Sequence, residues 1–376
     1  MNAPFPSDNV EASAGGGGAS NTETLLLDIW KRVLRVREIG RDDNFFDLGG
    51  DSLLAVILFL QIEQETGAHL PVTAIFDAPS VSEMARLIEE NSVPQSSSLV
   101  LLKPGSGGDP LFIVHGIGGT VMELTALARN IRIPGAVYAI RAHGLDGQDE
   151  PLATIEDMAD DYVQAIRAIQ PSGPYRLCGY SFGGLIAMEM ARRLKAQSES
   201  IGALILMDSY AHPSTWPRLS RVKMRVRRGF SRLLDRPDGS RAETFSHLLA
   251  HLNTRDESDY LHEWLLDQNP SLPLPLLRVR EAGGAALRAY RPKPYDGPIT
   301  FLKASRRDAE FPDDPERIWR RLAPDIRFRT IPGAHRTIVT QDVETAAAAL
   351  TACLYTPSFF PHGRESRKRR ARNKYS

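Results

Sequence analysis

The chain of 376 residues is poor in cysteine, has no net charge and contains no long apolar run. Its two cysteines, Cys178 and Cys353, are too few for a disulfide framework, and no histidines accompany them at zinc-binding spacing. No stretch reaches the roughly 20 apolar residues of a membrane span. The N-terminus also lacks the basic start and the apolar centre of a signal peptide. These absences predict a cytoplasmic protein with no membrane span and no metal site.

Charge argues against a nucleic-acid partner, because Lys plus Arg and Asp plus Glu both number 46. The distribution is uneven, however. Residues 21–95 carry 13 acidic and 6 basic side chains, whereas residues 213–242 carry 9 basic and 2 acidic ones. Residues 362–376 carry 7 basic and 1 acidic side chain, a pattern usually found in solvated segments, and we assign them no function.

Composition divides the chain into two domains of unequal size. The glycine-rich residues 1–20 predict a flexible leader. Apolar residues at helical spacing in residues 21–91 predict a small all-α bundle. The polar, proline-containing residues 92–98 predict a linker to a larger domain at residues 99–355, which the basic tail 356–376 follows.

The larger domain shows short apolar runs that alternate with helical stretches, which predicts a mostly parallel sheet with helices on both faces. The predicted strands include 111–114, 137–140, 175–178, 203–207 and 299–302. The strand signal then disappears between residues 210 and 294, and such a gap predicts a helical lid inserted into an α/β-hydrolase.

Ser181 lies in the pattern G-x-S-x-G, between the strand-like "YRLC" and the helix-like "LIAMEMARRL". This is the strand, sharp turn and helix of a nucleophile elbow. A serine hydroxyl needs a base to accept its proton, and that base needs an orienting carboxylate. The chain order Ser, Asp, His therefore predicts partners downstream of Ser181.

Asp208 follows the apolar run "ALILM", and His335 follows "FRTIP" and a glycine, as a loop histidine after a last strand would. We predict that Ser181, Asp208 and His335 form a catalytic triad. Asp308 remains the alternative carboxylate, because some hydrolases place the acid one strand later.

An acyl intermediate also needs two backbone N–H groups for its oxyanion. Phe182, directly after the predicted nucleophile, supplies the first. Ile117, in "HGIGG" after the strand "LFIV", is the predicted second donor. His115 in the same loop is expected to shape the loop and not to act as a base.

Two parts of the chain resemble known protein families. "DNFFDLGGDSLLAV" resembles the attachment motif of carrier proteins from nonribosomal peptide synthetases, and residues 99–355 resemble the type I thioesterases that end such assembly lines. The second likeness rests on "PLFIVHGIGG", "VYAIRAHGLDGQDEPLATIEDMADDYVQAI" and "QPSGPYRLCGYSFGG". Together the two resemblances cover roughly residues 22–354.

The resemblance implies that Ser52 carries a 4'-phosphopantetheine arm, attached by a phosphopantetheinyl transferase. It implies a terminal unit that holds a peptidyl or acyl thioester and releases it by hydrolysis or cyclisation through Ser181. This length leaves no room for an adenylation domain, so upstream synthetase modules or a loading enzyme in trans must supply the acyl group. Our hypothesis is that Arg221, Arg225 and Arg228 dock the acidic carrier or a substrate carboxylate, and the alternative is a solvated basic helix face.

Two other functions remain open on sequence alone. An editing or transferring thioesterase would use the same triad on other carriers. A carrier module with a non-catalytic hydrolase scaffold would leave Ser181 unreactive, and Ser52 could serve only as a helix cap.

Overall fold

A computed structural model describes residues 20–50, 52–91, 97–209, 212–216, 274–306 and 314–355. Several features predicted above lie outside these residues: the leader up to residue 19, most of the linker, most of the lid with Arg221, Arg225 and Arg228, the alternative carboxylate Asp308, and the basic tail. The chain divides into two compact units, Met1–Gln95 and Ser96–Ser376.

The first unit is helical throughout its described elements, as predicted. Its helices are α1 Asn21–Leu34, α2 Ser52–Thr66, the short α3 Ala74–Asp77, and α4 Val81–Glu89. Capping boxes start two of them: Ser20 pairs reciprocally with Glu23 at α1, and Ser80 with Glu83 at α4. The apolar faces meet in a core that includes Leu26, Ile29, Trp30, Leu58, Ile62 and Met84.

The second unit is built on a seven-stranded sheet. Its strands are β1 Leu99–Lys103, β2 Leu111–Val114, β3 Val137–Ile140, β4 Tyr175–Tyr180, β5 Ile201–Met207, β6 Ile299–Arg306 and β7 Ile326–Ala334. Their spatial order is β1-β3-β2-β4-β5-β6-β7, and only β1 runs antiparallel to its neighbour. The predicted, mostly parallel sheet is therefore confirmed, whereas sequence periodicity did not indicate β1.

All four residues of β2 are buried, as expected for a strand in a sheet whose two faces are covered by helices. The described helices are α5 Thr125–Asn130, α6 Ile155–Ile169, α7 Gly183–Ala196, α8 Leu274–Ala289, α9 Pro315–Leu322 and α10 Val343–Tyr355. Helix α6 packs on α7, and α5 packs on α10. Helix α8 is the longest described element of the predicted lid, whose residues 212–216 are also described. None of the helices in the described ranges is long and apolar enough to cross a bilayer.

Candidate active site and attachment site

Ser181 occupies a sharp turn between β4 and α7. Its φ of 55° places it in the left-handed region, which L-residues rarely adopt. The turn is so tight that a Cβ added at Gly179 would lie 2.3 Å from the carbonyl oxygen of Gly183. A Cβ at Gly183 would in turn lie 2.3 Å from the carbonyl oxygen of His115. Both glycines are therefore required for the chain to turn directly at Ser181.

Three side chains that are far apart in sequence meet at this turn. His335 Nε2 lies 2.9 Å from Ser181 Oγ, and His335 Nδ1 lies 2.9 Å from Asp208 Oδ2. Ser181 follows β4, Asp208 follows β5 and His335 follows β7. Because these strands are parallel, their carboxyl ends lie along one edge of the sheet, and this edge brings the three predicted residues together.

The surroundings of Asp208 fix the direction of both hydrogen bonds. The carboxylate is 2 % exposed, and its Oδ1 accepts a hydrogen bond from the Ala304 N–H at 3.1 Å. A carboxylate can only accept, so His335 Nδ1 donates to Oδ2 and the Ser181 hydroxyl donates to Nε2. The histidine is thereby held in the tautomer that can take a proton from Ser181. Between the two candidate carboxylates, the structure places Asp208 against His335.

The two predicted oxyanion donors line one pocket. Ile117 and Phe182 both border a small pocket whose walls also include Met158, Val279 and Gly283. Within the described part of the chain, neither the Ile117 N–H nor the Phe182 N–H donates to a protein acceptor. Phe182 directly follows Ser181, and two backbone donors without a protein acceptor are what a developing oxyanion requires.

His115 shapes the loop that carries Ile117. Its ring is buried and contacts the Gly116 carbonyl oxygen through Nδ1 and the Tyr162 hydroxyl, at 2.8 Å, through Nε2. Burial lowers the pKa of His115 to about 4, so the imidazole is neutral near pH 7. Nδ1 then donates to the carbonyl oxygen and Nε2 accepts from Tyr162, which ties the loop to α6.

In the first unit, aromatic packing anchors the loop that leads to Ser52. Phe45 makes an edge contact with Trp30, with ring centroids 5.3 Å apart, and Phe46 stacks on Phe76. A Cβ at Gly50 would lie 2.3 Å from Phe45 Cε1, so the end of the loop rests on this ring. Phe45 and Phe46 therefore anchor the loop to the helical bundle.

Ser52 is the first residue of α2. Just before it, Gly49 has a φ of +91°, and a Cβ there would meet no atom within 4 Å. Asp42, Asp43 and Asp47 in the same loop are exposed. An anchored loop with an open, acidic surface ahead of a helix start fits covalent attachment of a phosphopantetheine arm by another enzyme.

Sequence reasoning missed two features of the site. The first is the contact of Tyr180, the residue before Ser181, with His335. The only signal for it in the sequence was the position of Tyr180 within G-x-S-x-G. Helix α8 packs against the Ile117 loop through Val279 and Gly283. These contacts join residues at least 160 positions apart, and no local pattern indicates them.

Comparison with known families agrees with this arrangement. Residues 109–352 match the family model of the thioesterase domain, and residues 24–88 match that of the phosphopantetheine attachment site. The chain is 40% identical over 209 residues to a dimodular nonribosomal peptide synthase of Bacillus subtilis (strain 168), which covers 55% of this chain and 9% of that protein. It is 30% identical over 307 residues to the malpibaldin synthetase of Mortierella alpina, covering 81% of this chain and 5% of that protein.

Among solved structures, the four-domain nonribosomal peptide synthetase holo-AB3403, bound to AMP and glycine, matches with a TM-score of 0.53 and 27% identity. That match covers 93% of this chain and 27% of the other. The chain thus spans less than a tenth of the length of the two curated relatives named above. The protein belongs to the thioesterase domain family, and a phosphopantetheine attachment domain precedes its thioesterase domain.

Proposed function

We propose that this protein is a terminal release unit of nonribosomal peptide synthesis. It receives a peptidyl or acyl chain as a thioester on an arm at Ser52, transfers the chain to Ser181, and releases it. The observation that carries the proposal is the hydrogen-bonded chain from Ser181 through His335 to Asp208, within a chain that also contains an attachment domain.

In the first step, Ser181 Oγ attacks the thioester carbonyl carbon while His335 Nε2 takes the hydroxyl proton. Asp208 stabilises the imidazolium that forms and keeps Nδ1 directed away from the serine. The C–S bond then breaks, and His335 returns its proton to the leaving thiolate. The products of this step are a free thiol and an acyl ester on Ser181.

The Ile117 and Phe182 N–H groups stabilise the negative charge that develops on the carbonyl oxygen. Their advantage is that both belong to backbone already fixed in place, so no reorganisation is needed when charge appears. Removal of one such donor typically costs about 10² to 10³ in kcat.

Ser52 is the residue we propose for the covalent arm, because it begins α2 directly after the loop anchored by Phe45. The arm supplies a thiol on which acyl groups travel as thioesters. This chain's own contribution is an exposed acidic loop directly ahead of the serine, which a phosphopantetheinyl transferase can approach.

In the second step, water or a nucleophile within the acyl chain attacks the Ser181 ester while His335 accepts its proton. The ester C–O bond then breaks, and His335 returns the proton to Ser181 Oγ. Water gives a free acid, and an internal nucleophile gives a lactone or lactam. We propose that upstream synthetase modules, or a loading enzyme in trans, supply the acyl group. We further propose a cytoplasmic setting, since coenzyme A, the donor of the arm, is an intracellular cofactor.

Hydrolysis of an acyl thioester of N-acetylcysteamine, a small mimic of the end of the arm, tests the catalytic half of this proposal. The wild type should hydrolyse it and should be labelled by a fluorophosphonate. The variant Ser181→Ala should do neither, whereas Ser172→Ala, which removes an exposed serine outside the triad, should match the wild type. Full activity in Ser181→Ala would refute the assignment of the nucleophile.

A further inference from the structure

Tyr180, on β4 immediately before Ser181, contacts His335 in two ways. The two rings stack with centroids 5.3 Å apart and an angle of 20° between their planes. The Tyr180 hydroxyl donates a hydrogen bond to the His335 carbonyl oxygen at 2.9 Å. One side chain therefore contacts both the imidazole and the main chain of the proposed base.

The same ring also touches the loop of the proposed oxyanion donor. A Cβ added at Gly116 would lie 3.3 Å from Tyr180 Cδ1, so the backbone directly before Ile117 passes against the tyrosine. Tyr180 is only 6 % exposed. It is thus packed between functional segments and offers little surface to a substrate.

We propose that Tyr180 is a positioning residue that sets the plane of the His335 ring and the position of the loop that carries it, so that Nε2 stays in line with Ser181 Oγ. This inference rests on the proposed function, because it assumes that His335 acts as the base. The stacked contact restrains the ring plane, and the hydroxyl restrains the loop that carries the ring.

The physical need for such a device follows from the position of His335. Its ring lies in the loop after β7, while Ser181 belongs to the turn after β4, and β5 and β6 lie between these two strands in the sheet. Loops are the more mobile parts of a fold, and a misplacement of about 1 Å can cost on the order of 10² in rate. A side chain anchored in the rigid strand next to the nucleophile removes that freedom.

Two substitutions separate the two contacts. Tyr180→Phe keeps the stacked ring and loses the hydrogen bond, and we expect kcat to fall by about tenfold, the value of one ordinary hydrogen bond. Tyr180→Leu loses both contacts, and we expect kcat to fall by roughly 10²-fold. KM should change by less than about twofold in both variants, because a ring this buried contributes little to the binding of the substrate in its ground state.

Tyr175→Phe is the matched control. Tyr175 begins the same strand, is buried, and donates its hydroxyl to a backbone carbonyl oxygen, that of Gln170, at 3.0 Å. Its removal costs the same kind of hydrogen bond at the far end of β4. The control should lose stability to a similar extent and keep the wild-type kcat.

The experiment measures kcat and KM with an N-acetylcysteamine thioester as substrate for the wild type and these three variants. A separate assay measures the rate at which a fluorophosphonate labels each protein. Reduced kcat and slower labelling in Tyr180→Phe, with KM and the control unchanged, would support the proposal. Wild-type kcat in Tyr180→Phe, or a raised KM with kcat intact, would overturn it. If Tyr180→Leu does not fold, Tyr180→Phe alone decides. A wild type that neither hydrolyses thioesters nor labels at Ser181 would instead refute the proposed function.

Discussion

Gly283 of α8 faces Ile117, and a Cβ placed on this glycine would lie 3.1 Å from Ile117 Cδ1 and 3.6 Å from the Ile117 carbonyl oxygen. One turn earlier on the same helix, Val279 occupies the space beside Gly119: a Cβ at Gly119 would lie 2.4 Å from Val279 Cγ1. The last helix of the predicted lid therefore packs directly on the loop that holds a proposed oxyanion donor. The position of that donor depends on this close approach.

We predict that Gly283→Val lowers kcat by about 10²-fold, the cost of a misplaced oxyanion donor. The added methyl groups would push against Ile117, whose backbone would have to move. Gly283→Ala should have a milder effect, because the flexible end of the Ile117 side chain can yield by a few tenths of an ångström. Thioester hydrolysis by both variants measures this dependence.

Glu281→Val is the control for that series, since Glu281 is exposed on the same helix and the substitution introduces the same β-branched residue there. Its kcat should equal that of the wild type. Equal activity in Gly283→Val and Glu281→Val would contradict a link between α8 and the oxyanion loop.

We predict that Asp208→Asn lowers kcat by about 10⁴-fold while the protein stays folded. An amide in place of the carboxylate can present its NH₂ group to Nδ1 and so favour the tautomer in which Nε2 carries the proton. Single-turnover hydrolysis and fluorophosphonate labelling measure the loss. Asp308→Asn, at the alternative carboxylate, should retain wild-type rates, and a greater loss from Asp308→Asn than from Asp208→Asn would reverse the assignment.

The core of the site could be predicted from the sequence because it depends on neighbouring residues and on the order of residues along the chain. The elbow at Ser181 is defined by its immediate neighbours, and the order of Asp208 and His335 along the chain follows from parallel strands whose ends share one edge. The choice between Asp208 and Asp308 could not be made from sequence, since each comes after a predicted strand. Only the contact between the Asp208 carboxylate and His335 distinguishes them.

Other features were beyond sequence reasoning for physical reasons. The antiparallel strand Leu99–Lys103 lies at the edge of the sheet and directly follows a polar linker, so it stands outside the strand–helix alternation that marks the parallel strands. The contact of Gly283 with Ile117 depends on how a helix late in the chain packs on an early loop. The stacking of Tyr180 on His335 depends on side-chain direction at a strained turn, which hydrophobic periodicity does not report.

His115 should make the second unit sensitive to acid. Burial lowers its pKa to about 4 in the folded chain, whereas the unfolded chain binds the proton at the ordinary value near 6.5. The unfolded state therefore holds more protons in this window, and stability present above pH 6.5 is lost as the pH falls towards 4. The loss from this group amounts to about 3 kcal/mol below pH 4.

Urea unfolding of the second unit at pH 8, 6, 5 and 4 measures this effect. His115→Gln should be less stable at pH 8 but should lose less stability on acidification than the wild type does. His69→Gln, which removes a histidine with an 80% exposed side chain in the first unit, should leave the wild-type slope unchanged. An identical pH dependence in His115→Gln and the wild type would contradict this role.

Gly50→Ala should slow attachment of the arm. The added Cβ would collide with Phe45 and distort the loop that leads to Ser52, and overpacking of this kind typically costs about 1 to 3 kcal/mol. Gly67→Ala is the control, because Gly67 has a φ of +71° but a Cβ there meets no atom within 4 Å. It should lower stability without slowing the modification by a phosphopantetheinyl transferase, whereas equal rates in both variants would contradict the proposed loop anchor.

The central claim is that an acyl group passes from an arm on Ser52 to Ser181, and intact-protein mass spectrometry tests it most directly. The wild type, Ser52→Ala and Ser181→Ala are incubated with a phosphopantetheinyl transferase and octanoyl-coenzyme A. We predict that the wild type gains the octanoyl arm and then loses the octanoyl group, that Ser181→Ala retains it, and that Ser52→Ala gains no mass. A folded wild type that never gains the arm, or a Ser181→Ala variant that loses the acyl group at the wild-type rate, would contradict the account.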